Sequence, residues 1–396
     1  MLGYRKKSFA DAYAMLTRLR GNPIDLATLK ALQQLLCQEI VRTEKKIREL
    51  KAQRKAVTTM GGKRAKRRSS ILLARIDKIR HCAYVWRCFG DAIAFSYMDR
   101  FALKQTYYST ERPREKQGAG FLLDKVGLAT EIAWLEFALE KNIPALLVDL
   151  TDTIRHGDVC LMGEPDPYLT EVKAGSTVDR RGRRQKRGLA KLREFFENDS
   201  VEGLRGAAGI RRVAPSTPGR DYVEELNASI AEAMQDGHAV RSPEAGLYYI
   251  VMTTDGPEVE NLDRLKLKNP WIIALNEFKN ERAWAPYYPF ILSITDKDHL
   301  WAFIRGDVYI VVVIEQDRLC QIAKERGYDA TLAIDSEPGV GGLTIRNPAD
   351  ATGISVSSHF LARIAFEFLS PEWVVATAIE MGSSDEVALL SAPARA

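Results

Sequence analysis

Glu171 and Lys173 stand two residues apart in YLTEVKAG (168–175), between a turn-forming MGEPDP and a dense run of arginines. The segment reads as a strand, and side chains two apart on a strand project from one face. A lone carboxylate and ammonium in that relation form an ordinary exposed ion pair of little energetic weight. The pair gains chemical meaning if a second acid joins it, and HGDVCLMG (156–163), just before the turn, offers one. If the two segments form a hairpin that turns between Glu164 and Pro165, Asp158 faces Glu171. Opposed Cβ atoms on paired strands lie roughly 4.5–5.5 Å apart. Two carboxylates that close repel each other unless a cation joins them, and an all-oxygen donor set suits Mg²⁺ or Mn²⁺. A register shifted by one residue turns Asp158 to the opposite face.

The helices expected on either side carry further polar candidates. Around 121–141 the residues Leu128, Ile132, Leu135 and Leu139 recur at helical spacing, with Glu131 at the edge of that stripe, either exposed or leaning inward. A second helix, from about 180 to 198, places Leu189, Leu192 and Phe196 on its core side and Gln185 one turn earlier on that side. A buried amide needs a partner. Arg180, Arg183, Arg184, Arg187 and Lys191 cover an adjoining face, and 8 of the 14 residues from 180 to 193 are basic. Such density favours contact with a phosphate backbone.

Taken in order, these residues resemble the PD-(D/E)XK nuclease superfamily: a helix with Glu131, a strand, Asp158 in the next strand, Glu171 and Lys173 in the third, then a helix with Gln185. The resemblance covers about 120–198, extending towards 252. It implies a restriction-endonuclease-like α/β core, a mixed central sheet flanked by helices in αβββαβ order, and Mg²⁺- or Mn²⁺-dependent hydrolysis of phosphodiester bonds by an endonuclease. Residue by residue, it assigns Asp158, Glu171, Glu131 and the carbonyl of Val172 to the metal, Lys173 to the attacking water or the phosphoryl oxygens, and Gln185 to holding the lysine, water or a phosphate. The literal Pro165-Asp166 falls in the turn, away from the Glu171 face, so Asp158 is preferred; Asp149 and Asp152 remain substitutes for it. The substrate expected is DNA, with RNA not excluded, and a bacterial restriction or phage-defence setting follows by analogy alone. The competing reading is a catalytically inactive nucleic-acid-binding or scaffold protein in which Glu171 and Lys173 are only salt-bridged.

The rest of the chain sets the frame for that site. Its 396 residues allow two or three domains. No apolar run approaches the roughly 18 residues of a membrane span, no secretory signal is evident, and five cysteines without a C-x-x-C pair suit a reducing cytoplasm. His81, Cys82 and Cys88 do not share a helix face as zinc ligands would. The net charge of +5 conceals an asymmetry: residues 1–115 hold 26 Lys and Arg against 10 Asp and Glu, while the remainder is acidic. Leu29, Leu32, Leu36, Ile40, Ile47 and Leu50 predict a long basic helix that stops near Gly61-Gly62, followed by a second one capped by Ser69 or Ser70, with a basic loop between them. We expect three parts: a basic helical-hairpin arm over 1–115, able to pair with a second copy or contact nucleic acid; a nuclease domain over 116–255; and an α+β region over 256–396 that could meet a partner protein.

Overall fold

The computed structural model describes residues 5–172, 180–256, 266–334, 341–349 and 352–382. They fall into two compact units, Met1–Arg211 and Arg212–Ala396. The boundaries expected at 115/116 and 255/256 each lie inside a unit. Among the described residues no helix is long and apolar enough to cross a membrane.

The first unit opens with helices α1 (Lys6–Gly21), α2 (Leu26–Thr59), α3 (Gly62–Tyr97) and α4 (Arg100–Tyr107). The Asp25 carboxylate caps α2 by accepting from the Thr28 amide. All six apolar residues that predicted this helix are buried. The chain reverses at Gly61 and Gly62, both at positive φ (66° and 82°), and α3 starts at once. The basic segment expected as a loop is therefore helical: Lys, Arg and Ala are good helix formers, and two glycines suffice for the turn. Ile47, Leu50 and Val57 of α2 close on Leu72, Ile76 and Ile79 of α3 as a small core belonging to the hairpin.

After α4 come α5 (Leu128–Glu140), β1 (Ala145–Leu147) with a 3-10 turn at Val148–Leu150, β2 (Val159–Leu161), β3 (Tyr168–Thr170), α6 (Arg180–Asn198), β4 (Ser200–Glu202) and β5 (Gly209–Arg211). The αβββαβ order is present, but the mixed central sheet is not. Strands β1, β2 and β3 form an antiparallel sheet, and β4 pairs antiparallel with β5 in a separate one. Gln33 of α2 supplies a physical reason. Its Nε2 donates to the Ala145 carbonyl (2.9 Å) and its Oε1 accepts from the Leu147 amide (3.0 Å), so a side chain takes the edge of β1 where another strand would pair.

In the second unit α7 (Val223–Asp236) precedes a four-stranded antiparallel sheet. Its order is β6 (His238–Glu244), β7 (Leu247–Thr253), β9 (Val308–Glu315), β8 (Pro270–Ala274). A meander of β10 (Asp329–Ile334), β11 (Gly341–Arg346) and β12 (Gly353–Ser357) follows. Short helices surround both sheets, in keeping with the expected α+β texture. FILSI (290–294), an apolar run of strand length, is a helical turn at Phe290–Ser293, all four residues buried. An unbroken apolar run carries no periodicity to tell the two apart.

The Gln33 contacts give a first test. In a Gln33→Leu variant the Ala145 carbonyl and Leu147 amide lose their partners while buried, which costs about 2–4 kcal/mol. The urea midpoint should fall and the Leu147 amide should exchange faster; an unchanged midpoint would show that Gln33 does not hold this edge.

Candidate active site

Lys125 sits in the turn before α5, where the Leu128 amide reaches back to its carbonyl (3.3 Å). Gly127, at φ 103°, then admits the first helical residue. Glu131 lies in the first turn of α5 and heads its buried stripe with Leu135, Ala138 and Leu139, so of the two orientations left open by the sequence the inward one is observed. Asp149 lies in the 3-10 turn that ends β1, and Asp158 immediately precedes β2.

Three carboxylates from these elements meet one ammonium. Lys125 Nζ lies 2.6 Å from Asp149 Oδ2, 2.8 Å from Glu131 Oε2 and 3.8 Å from Asp158 Oδ1. Fully ionised, the four side chains carry a formal charge of −2. Burial pushes the Glu131 carboxyl above its ordinary range, with the charges of Asp158 and Asp149 adding to the rise and Lys125 opposing it. Burial by itself would lower the Lys125 ammonium, but the hydrogen bonds and charges of Asp149 and Glu131 outweigh it and hold the lysine more firmly protonated than usual.

The backbone fixes Asp158 tightly. Its carbonyl accepts from the Val148 amide (3.0 Å), its amide donates to the Thr170 carbonyl (2.8 Å), and its Oδ2 accepts from the Val172 amide (2.9 Å). Gly157, at φ 78°, lets the strands come this close: a Cβ there would stand 2.8 Å from the Thr170 oxygen. The β2/β3 register pairs Val159 with Thr170 and Cys160 with Leu169, the register expected from a turn between 164 and 165. The ladder ends there and becomes irregular at Asp158, whose amide turns to the Thr170 carbonyl while its own carbonyl faces β1, so the expected pairing of Asp158 with Glu171 is not formed. Glu171 and Val172 are half-buried. Lys173 lies outside the described residues.

The long helices clamp the Lys125 turn from behind. Glu44 of α2 accepts from the Leu123 amide (2.8 Å) and from Arg87 of α3 (3.2 Å). Arg87 also donates to the carbonyls of Asp149 and Gly120 (both 3.1 Å).

The helix α6 contributes differently from expectation. Gln185 is half-buried and lines a cavity of about 500 Å³ with Thr110, Glu111, Lys116, His156 and Arg184. Gly188 lets α6 approach, since a Cβ there would stand 2.9 Å from Thr110 Oγ1. Arg184 is held by Glu111 through two hydrogen bonds (2.7 and 2.5 Å), and Lys191 donates to the Gly203 carbonyl (2.8 Å). Arg183 and Arg187 are exposed; α6 begins at Arg180, whose side chain is outside the described part. His156 Nε2 lies 2.9 Å from the Tyr108 carbonyl. Burial, then the positive charge of Lys116, lower its pKa to about 4.

A second acidic group lies deeper. The ligand atoms of Cys88, Asp91 and Asp152 are within 4.8 Å of one another. Asp91 Oδ1 already accepts from the amides of Asp152 (3.0 Å) and Thr153 (2.8 Å), and burial together with the Asp152 charge raises its carboxyl to about 8. The geometry is that of an anchor for the 151–153 loop. Asp152 thus serves here, while Asp149, the other substitute considered for Asp158, joins the Lys125 cluster alongside it.

Sequence reasoning did not single out Lys125. A lysine six residues before a glutamate, across a glycine turn, has no periodic signature; only the reversal at Gly127 brings the two together. Comparison with protein-family models, with curated proteins and with solved structures matches none of them to this chain.

Two measurements probe this electrostatics. Lys125→Met removes the ammonium that opposes the rise of the Glu131 carboxyl, so that pKa rises further, and stability becomes greatest at low pH and is lost as pH rises through it. The melting temperature of the variant should fall more at pH 8 than at pH 5, and millimolar Mn²⁺ should restore it; a pH-independent loss would mean that Lys125 acts only by packing. For His156 the sign is opposite. The unfolded chain takes up its proton near 6.5 and the folded one only near 4, so stability is complete above 6.5 and declines by roughly 3 kcal/mol as pH falls through that window. His156→Asn should flatten the acid limb of the stability curve between those two values.

Proposed function

We propose that the unit Met1–Arg211 is a metal-dependent nuclease of the PD-(D/E)XK kind that hydrolyses DNA phosphodiester bonds. The observation that carries this reading is the convergence of Glu131, Asp149 and Asp158 on one cation position. The donors are hard oxygens, which fit Mg²⁺ or Mn²⁺, and the net negative charge that Lys125 leaves uncompensated favours a second cation.

Asp158, Glu171 and Glu131 would hold the ion, with Asp149 joining them and the Val172 carbonyl assigned by resemblance. The ion, when bound, polarises the scissile phosphate and acidifies a water. Asp158 can serve because three backbone contacts fix its carboxylate before any ion arrives. Lys125 screens the carboxylates from one another and keeps them gathered. Lys173, on the resemblance, orients the attacking water or stabilises charge growing on the phosphoryl oxygens. Arg183 and Arg187 on the exposed side of α6 are available to backbone phosphates; Arg184 must first exchange Glu111 for phosphate, and Lys191 the Gly203 carbonyl.

One observation favours a second reading, a nucleic-acid-binding protein without catalysis: Lys125 already neutralises part of the acidic cluster, as a structural ion-pair network would.

Purified protein incubated with supercoiled plasmid, single-stranded DNA or RNA in Mg²⁺, Mn²⁺ or EDTA separates the two. Wild type should nick plasmid only with metal. Asp158→Asn and Lys173→Ala should lose about 10²-fold or more of the rate while retaining DNA affinity. Binding without cleavage by every form establishes the second reading, and cleavage of RNA alone reassigns the substrate.

A further inference from the structure

The helical hairpin carries a second feature that the carboxylate site does not use. Around its base, basic side chains meet carboxylates: Arg5 and Arg42 pair with Glu39, Lys46 with Glu49, Arg48 with Asp124, and Arg87 with Glu44. This pattern stops at residue 49. Residues 50–76 contain nine basic residues (three in α2, six in α3) and no acid. Eight of the nine are exposed; Arg54 is half-buried and donates to Ser69 Oγ (3.2 Å).

Such a tip repels itself. Lys51 and Lys55, Lys63 and Arg67, and Arg64 and Arg68 are like charges four apart on a helix, each pair costing a few tenths of a kcal/mol. A polyanion relieves that cost, whereas a second copy of the same tip adds to it. The regularly spaced apolar residues Ile47, Leu50, Val57, Leu72, Ile76 and Ile79 are spent inside the hairpin, and the large apolar side chains exposed at its tip are the scattered Met60, Ile71 and Leu73. An amphipathic membrane-surface helix keeps an apolar face outward and gathers its charge on the other. Here the shared apolar face is inward, and Lys63, Arg64, Lys66, Arg67 and Arg68 cover roughly 200° of α3. The exposed Ile71 and Leu73 stand on opposite sides of that helix, so with Met60 they form no continuous outward apolar face.

We infer that the tip of this hairpin, residues 50–76, is a phosphate-backbone grip for duplex nucleic acid. Glu44, which holds the turn before Lys125, lies fifteen residues before Thr59 at the end of α2. At 1.5 Å per residue the tip therefore stands about 23 Å further along the helix, equivalent to about seven base pairs of duplex. A duplex lying along the arm is gripped at a distance from the carboxylates, by contacts that carry no sequence information. The grip needs no metal and stands whether or not the carboxylates cut.

The test is fluorescence anisotropy of a labelled 24-base-pair DNA duplex, and of its RNA counterpart, in EDTA from 50 to 200 mM salt. The proteins compared are wild type and an Arg64→Ala, Arg67→Ala, Arg68→Ala triple variant. Alanine is the best helix former, so the hairpin should survive, and circular dichroism checks this. The variant should bind roughly 10-fold or more weakly, and the slope of log affinity against log salt should become shallower by about 2–3, near 0.9 for each phosphate contact removed. A preference for either duplex then names the substrate form. Unchanged affinity and slope overturn the inference. So does a variant that keeps duplex binding but loses binding to phosphatidylserine vesicles, or one that keeps duplex binding but changes its sedimentation as an oligomer. Loss of metal-dependent nicking alone bears on the carboxylates, since this measurement contains no metal.

Discussion

Mutual repulsion of Glu131, Asp149 and Asp158 is the constraint around which the first unit is arranged. Carboxylates from a helix, a 3-10 turn and a strand end do not gather spontaneously; each loses solvation and feels the others. The fold holds them by fixing backbone more than side chains. Asp158 is held through its amide, its carbonyl and its carboxylate. The turn carrying Asp149 is bound at its carbonyl by Arg87, and the turn carrying Lys125 is bound at Leu123 by Glu44. The Glu44–Arg87 pair, buried at its carboxylate, thus links both long helices to the back of the cluster. This explains why arm and sheet form one unit instead of two: the residues that hold the acidic turns lie on the arm.

What was legible in the sequence follows the range of the signals. The helices α2 and α6, the hairpin register and the inward side of α5 are written in spacings of two, three and four residues, and these were readable. The pairing of Val159 with Thr170 came from the position of a turn, which fixes register over a few residues; the irregular step to Asp158 beyond it was not readable. Lys125 was not readable, because its partners lie 6, 24 and 33 residues further on and meet only after the chain has reversed at Gly127 and passed through the sheet. Gln33 was equally hidden: nothing local tells that an amide in a helix stands in for the neighbour of a strand more than a hundred residues later. The basic loop was misplaced for another reason. Ser69 and Ser70 look like helix caps, but Gly61 and Gly62 reverse the chain earlier, and the intervening residues favour a helix.

The two basic elements differ in kind. Charges on α6 are partly committed, Arg184 to Glu111 and Lys191 to a carbonyl, so their engagement with phosphate competes with existing contacts. Those at the hairpin tip have no acid within their own segment. A long, poorly screened element suits capture at a distance, and a short, partly paired one suits positioning near the reacting bond.

Gln33 has a consequence beyond stability. A sheet edge with open amides and carbonyls invites strands from other molecules, and small three-stranded sheets are especially exposed to such additions. By satisfying alternate groups of β1 with a helix-borne amide, the chain closes that margin with a group that cannot propagate a ladder. Growth of this sheet by recruitment from a neighbour is blocked on its β1 side, at the cost of one glutamine.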